Sequence, residues 1–246
     1  MPITQTGIEG LDEILGGGIP TGRTVLILGE PGAGKSILCS SFLANGYEKF
    51  GEHGVYVSLE ENKSHFFTEM AKINIDFALA ESRGQFEFID ASPIRYIPDI
   101  VQTGGSSISR GVFSLVALID TIKKAVEKLG AKRLVIDPLS YLMFQFVDPA
   151  QLRGALLDLV GGLGEIGTTT LITAELHKTG SVAGRDIQME EYVAHGTIVM
   201  QSVQSGNSVV RSMQVQKMRA SKADRQPRPY LVTDTGISVF PNETVF

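Results

Sequence analysis

The stretch that decides the fold is Gly29-Glu30-Pro31-Gly32-Ala33-Gly34-Lys35-Ser36. It fits the pattern G-x-x-x-x-G-K-[ST], in which glycines let backbone N–H groups turn inward around phosphate oxygens at a helix N-terminus. The context agrees with the letters. The apolar run Arg23-Thr24-Val25-Leu26-Ile27-Leu28 predicts a strand entering the loop, and Ser36 to Phe50 predicts the helix leaving it. In such a loop Lys35 neutralises phosphate charge and Ser36 offers a hydroxyl to Mg²⁺. Gly29 through Ile37, comprising Gly29, Glu30, Pro31, Gly32, Ala33, Gly34, Lys35, Ser36 and Ile37, is therefore the expected binding segment for ATP.

Working outward, β-branched runs alternate with helical segments along the chain, the mark of strand-helix-strand units around a mostly parallel sheet. Val55 to Leu59, Phe86 to Asp90, Arg133 to Ile136 and Thr168 to Thr173 read as strands. Lys63 to Leu79, Phe113 to Leu129 and Gln151 to Ile166 read as helices, and strands predominate from Gly196 onward. With 246 residues, 43% of them hydrophobic, the expectation is a single α/β domain over residues 1–246. A net charge of -5 argues against a surface built mainly to hold nucleic acid. Cys39 is the only cysteine, which excludes a disulfide framework, and the four histidines show no zinc-ligand spacing. Neither a signal segment nor a run of membrane-spanning length is evident, so a cytoplasmic protein without a membrane partner is expected.

A phosphate loop needs an acidic anchor for its metal at the end of a later apolar strand, and Leu134-Val135-Ile136-Asp137 supplies one in Asp137. Glu60 and Glu61 follow the strand ending at Leu59. A carboxylate there can orient or deprotonate an attacking water, and Glu60 is the chosen base with Glu61 assisting; a solvated pair opening a helix is the competing reading. Gln102 to Ser109 reads as a mobile loop. His177, Lys178 and Arg185 flank a Gly-rich segment that either binds nucleic-acid phosphates or is an ordinary solvated loop. Phe144 and Phe146, near Tyr141, read as packing or interface residues rather than a base-stacking platform. The late run Gln214-Val215-Gln216-Lys217-Met218-Arg219-Ala220-Ser221-Lys222 gathers three cations at a strand end, which taken alone is a solvated edge.

Nearly the whole chain resembles the KaiC-like branch of the RecA superfamily. The opening Thr6-Gly7-Ile8-Glu9-Gly10-Leu11-Asp12-Glu13-Ile14-Leu15-Gly16-Gly17-Gly18-Ile19-Pro20-Thr21-Gly22 is similar to the family signature ahead of the phosphate loop. Leu59-Glu60-Glu61 resembles its catalytic double glutamate, and Thr173-Ala174-Glu175, Glu190-Glu191-Tyr192-Val193 and Thr233-Asp234-Thr235-Gly236-Ile237 sit where similar segments occur. The resemblance implies a RecA-type P-loop NTPase core with a C-terminal antiparallel extension, hydrolysing ATP with Mg²⁺ in a homo-oligomer, expected to be a ring of six. It implies that Lys217 and Arg219 act as a finger on the neighbouring protomer's nucleotide. Asp234 either touches that neighbour's nucleotide or is a turn residue, and Glu175 either senses the γ-phosphate or is a plain strand-end carboxylate. Pro138 stands where relatives commonly carry a small hydroxyl residue, which implies slower hydrolysis. Self-phosphorylation and timekeeping belong to clock members with two fused copies and are not carried over. Two purposes compete: a regulatory ATPase acting on a protein partner, and a recombinase-like accessory protein binding single-stranded DNA.

Overall fold

The structure, a computed structural model, describes residues 1–91, 102–103, 106–107, 114–176, 188–205 and 208–245. In chain order the elements are β1 (Ile3–Thr4), α1 (Leu11–Ile14), β2 (Ile19–Pro20), β3 (Thr24–Gly29), α2 (Lys35–Lys49), β4 (Gly54–Ser58), α3 (Lys63–Ala71), α4 (Phe77–Ser82) and β5 (Phe86–Asp90). There follow β6 (Gln102–Thr103), β7 (Ser106–Ser107), α5 (Leu115–Leu129), β8 (Arg133–Asp137), α6 (Ser140–Met143), α7 (Pro149–Ile166) and β9 (Thr169–Glu175). The chain ends with α8 (Met189–Val193), β10 (Gly196–Ser205), β11 (Ser208–Met218), β12 (Arg228–Thr233) and β13 (Gly236–Val239).

The main sheet runs β13-β12-β11-β10-β3-β9-β8-β4-β5. The six strands from β10 to β5 are mutually parallel, and β11, β12 and β13 extend them as an antiparallel meander. This is the mostly parallel α/β architecture that the strand pattern predicts, with the C-terminal antiparallel extension that the resemblance implies. Because β3 and β4 are separated by β9 and β8, the chain leaves β3 at a point where the strand order reverses, where open α/β sheets bind ligands.

Period-two alternation sends side chains from one strand to two cores. Val25, Ile27, Tyr56, Val135 and Leu171 join Phe42, Phe66 and Phe77 on the α2, α3 and α4 side. Leu26, Leu28, Val55, Val57, Leu134, Ile136 and Ile172 join Leu118, Ile122, Leu156 and Leu159 on the α5 and α7 side. The helices begin where capping side chains permit. Asn62 accepts from His65 N at 3.0 Å, Ser114 from Ala117 N at 3.2 Å, and Asp148 caps a helix whose next residue is Pro149. The helix expected over Lys63 to Leu79 is instead two. Asn74 adopts φ 60°, which ends the first, and Asp76 starts the second by accepting from Leu79 N at 2.9 Å. Phe146 packs against the α5 and α7 core, as expected of a packing residue, and so does Tyr141, whereas Phe144 is 77% exposed.

Arg133, wholly buried at the start of β8, is the chief polar fixture of the core. Its guanidinium donates to Gln5 O and Phe42 O, each at 2.8 Å, pairs with Glu52 at 2.7 Å, and lies 4.6 Å from the centre of the Phe42 ring. Truncation removes the guanidinium's bonds to Gln5 O, Phe42 O and Glu52 together. Arg133→Met should therefore lower unfolding free energy by about 3 kcal/mol in urea titration, even though Glu52 regains water.

Candidate nucleotide site

Four of the parallel strands deliver their carboxyl ends to one edge. Leu59 N donates to Asp137 O at 2.9 Å and Leu176 N donates to Gly29 O at 3.0 Å, so the residues after β3, β4, β8 and β9 form one rim. The loop from Gly29 to Ser36 crosses that rim. Gly32 and Gly34 have φ of 75° and 93°, which side-chain-bearing residues rarely adopt. Lys35 Nζ donates to Gly29 O at 2.9 Å and Glu30 O at 3.1 Å. Burial lowers its pKa, against the attraction of Asp137, Glu175 and the Cys39 thiol. A phosphate brought to this ammonium would relieve that imbalance by supplying charge at close range.

Asp137 sits opposite Ser36. Ser36 Oγ donates to its Oδ2 at 2.6 Å, Tyr56 OH donates to the same oxygen, and Thr173 Oγ1 donates to Oδ1. Asp137 is 9% exposed, with this hydroxyl set for partners. Burial, and Asp137 beside it, hold the Tyr56 phenol well above its usual range, so the phenol remains a donor. No sequence motif points to Tyr56, and Thr173 enters only as the first residue of the segment Thr173-Ala174-Glu175, with no role of its own.

Glu60, Glu61, Asn62 and His65 face the same gap as Ser36 and Asp137, lining a cleft of about 370 Å³. Glu60 is exposed and Glu61 half-buried. The Glu61 carboxyl is raised by burial and by Glu69, Asp137 and Glu60, with His65 opposing. Its amide donates to Ser58 Oγ at 2.8 Å, which fixes the turn after β4. Glu175 ends β9 beside Gly29, and its carbonyl accepts from Gln188 Nε2 at 3.2 Å.

Among the described residues no three His, Cys, Asp or Glu side chains converge as a metal cage. The donor set here suits Mg²⁺, which is held by one or two protein oxygens, substrate phosphates and water rather than by a dedicated cage. Ser36 and Asp137, 2.6 Å apart beside the phosphate loop, fit that description.

The β12–β13 turn, which carries Asp234, packs over α2 of its own chain. A Cβ placed on Gly34 would lie 3.2 Å from Val232 and 3.3 Å from Ile237. Asp234 O accepts from Asn74 Nδ2 at 3.0 Å, and a cleft of about 560 Å³ opens beside the turn between Asn45, Asn74, Thr233 and Thr235.

Lys217 and Arg219 lie elsewhere. Lys217 pairs with Thr197, which pairs with Leu26, three residues before Gly29 toward the opposite edge of the sheet. At about 3.3 Å per residue and about 4.8 Å per strand, the Lys217 backbone is roughly 10 Å down and 10 Å across from its own loop, and Arg219, level with His195 and Thr24, is roughly 17 Å down. Lys217 Nζ donates to Glu191 O at 2.8 Å and Ala194 O at 2.6 Å, at the C-terminal end of α8. Burial and Arg219 lower its pKa, with Glu191 opposing. Arg219 is exposed, and its amide donates to His195 O at 3.0 Å. His177, Lys178 and Arg185 lie outside the described residues, as does half of the loop from Gln102 to Ser109.

The family model described as "ATPase: KaiC" matches residues 4–244. The chain belongs to the KaiC ATPase family. The circadian clock oscillator protein KaiC of Parathermosynechococcus lividus is 33% identical over 243 residues, covering 98% of this chain and 43% of that protein. The protein of the same name from Synechococcus elongatus is 32% identical over 96% of this chain and 44% of its own length. This KaiC-family chain thus spans less than half the length of these curated relatives. A KaiC-like protein from the archaeon Pyrococcus horikoshii OT3 matches over 98% of this chain and 99% of its own, with 30% identity and a TM-score of 0.79. The RecA-type core expected from the motifs is therefore that of the family. No helix among the described residues is long and apolar enough to cross a membrane.

His195 joins the β3 edge to the Lys217 segment, with Nδ1 accepting from Thr24 N at 3.1 Å. Burial lowers its pKa, as do Arg23, Arg219 and Lys217. The unfolded chain therefore takes up this proton first, so His195 stabilises the fold above about pH 6.5 and loses that contribution as pH falls further. Thermal unfolding between about pH 7 and pH 5 should depend less steeply on pH in His195→Asn, which keeps an acceptor that does not titrate.

Proposed function

We propose that this chain is a regulatory ATPase that hydrolyses MgATP at interfaces between copies of itself in a homo-oligomer, a ring of six. The single observation that carries the reading is the separation of Lys217 and Arg219 from the phosphate loop of their own chain. Hydrolysis of a triphosphate gains from cations beside the transferred phosphoryl group, worth about 10³ to 10⁵ in rate, or about 4 to 7 kcal/mol. Copies arranged head to tail would bring the exposed Arg219 of one to the loop rim of the next, and Lys217 would follow if it exchanged α8 carbonyls for phosphate.

In this scheme the loop amides and Lys35 hold the phosphates, and Ser36 with Asp137 holds Mg²⁺. Bound there, Mg²⁺ supplies positive charge to the phosphate oxygens. Glu60 accepts a proton from the attacking water, and Glu61, whose carboxyl is already raised, assists from the same cleft. The ring then passes its nucleotide state to a protein partner.

Lys35→Ala should abolish ATP binding in equilibrium dialysis, and unchanged affinity would remove the phosphate-loop assignment. Glu60→Gln should bind ATP and turn over slowly. Mixing Glu60→Gln with Arg219→Ala subunits should recover part of the activity, because some interfaces then hold both intact halves. Absence of recovery at every mixing ratio counts against the shared site. So does a lone protomer in light scattering that hydrolyses ATP at full rate.

A further inference from the structure

We propose that Tyr56 is a positioning residue for the metal-binding carboxylate of Asp137, an inference that rests on the reading of Asp137 as the Mg²⁺ anchor. Tyr56 lies mid-strand in β4 and pairs with Val135, while Asp137 is two residues further along β8 on the same face. The ring is fixed before the hydroxyl is considered. It is 2% exposed, with the Phe66 centroid at 4.2 Å and the Phe88 centroid at 5.7 Å, stacked on the latter. Phe66 in turn stacks on Phe77, and Phe77 on Phe86, so the phenol belongs to an aromatic slab between β4, β5, α3 and α4.

In that slab Tyr56 alone carries a hydroxyl. Burying one among phenylalanines costs free energy unless it finds a partner, and phenylalanine would fill the same space without that requirement. The partner is Asp137 Oδ2, the oxygen that also accepts from Ser36 Oγ at 2.6 Å. Thr173 holds Oδ1. Thr173 alone would leave Oδ2 free to swing about the Cα–Cβ and Cβ–Cγ bonds, and Ser36 sits on the loop that reorganises around phosphate. Tyr56 pins Oδ2 from the rigid side. The aromatic slab thereby sets where the carboxylate points into the cleft that Ser36, Glu60 and Glu61 share.

Removing a partner that orients a metal ligand typically weakens metal affinity by about 10- to 100-fold, and two hydroxyls remain here, so the lower end is expected. The test is titration of Mn²⁺ into the protein at saturating ADP, with free Mn²⁺ read by electron paramagnetic resonance. Tyr56→Phe should shift half-saturation upward about 10-fold while ADP affinity in EDTA stays unchanged. Tyr56→Phe titrating like the unsubstituted protein, whatever its melting temperature, overturns the inference, because a purely structural phenol moves stability and not the Mn²⁺ curve. Asp137→Asn separates the two layers. If it binds Mn²⁺ at the original affinity, the metal reading of Asp137 falls and the role of Tyr56 with it. If it loses Mn²⁺ while Tyr56→Phe does not change, only the role of Tyr56 falls.

Discussion

One carboxylate gathers the working edge of this molecule. Asp137 takes hydrogen bonds from Ser36 at the start of α2, Tyr56 in the middle of β4 and Thr173 in β9, while its own strand lies between the last two. Three elements far apart in sequence are thus referred to a single point. The position of the phosphate loop relative to Glu60 follows from this constraint, because Leu59, just before it, also donates its amide to Asp137 O. A carboxylate so deeply placed is tolerable because three hydroxyls donate to it.

The parallel sheet makes that convergence possible. Strands running the same way place all their carboxyl ends on one rim, and the crossover between β3 and β4 opens a gap there. The opposite rim receives His195, Lys217 and Arg219, fastened by backbone bonds from Thr24 and to α8. Two chemically different edges separated by the length of a strand suit head-to-tail contact between copies, since the face presented differs from the face received.

The parts of the site that were legible in the sequence are those written locally. The glycines before Lys35, the apolar run before Asp137 and the paired glutamates after Leu59 each announce themselves within a few residues. Tyr56 and Thr173 did not, because their partnership with Asp137 depends on β4, β8 and β9 being neighbours, and strand order is a property of the whole chain. The helix expected over Lys63 to Leu79 failed for a smaller reason: a left-handed Asn74 followed by a capping Asp76 splits a segment whose apolar period runs on. Lys217 stands out in the sequence as one of three cations at a strand end, yet its ammonium rests on the carbonyls of α8, which only the packed chain reveals.

Arg133 carries one more consequence. One arm of its guanidinium is satisfied by the carbonyl of Gln5, so the first residues of the chain complete the electrical balance of a group deep in the interior. Trimming past that carbonyl would leave the guanidinium with only Phe42 O and Glu52 as partners. The amino-terminal arm is therefore a structural counterweight to the centre of the sheet, and protein engineers should treat it as fixed.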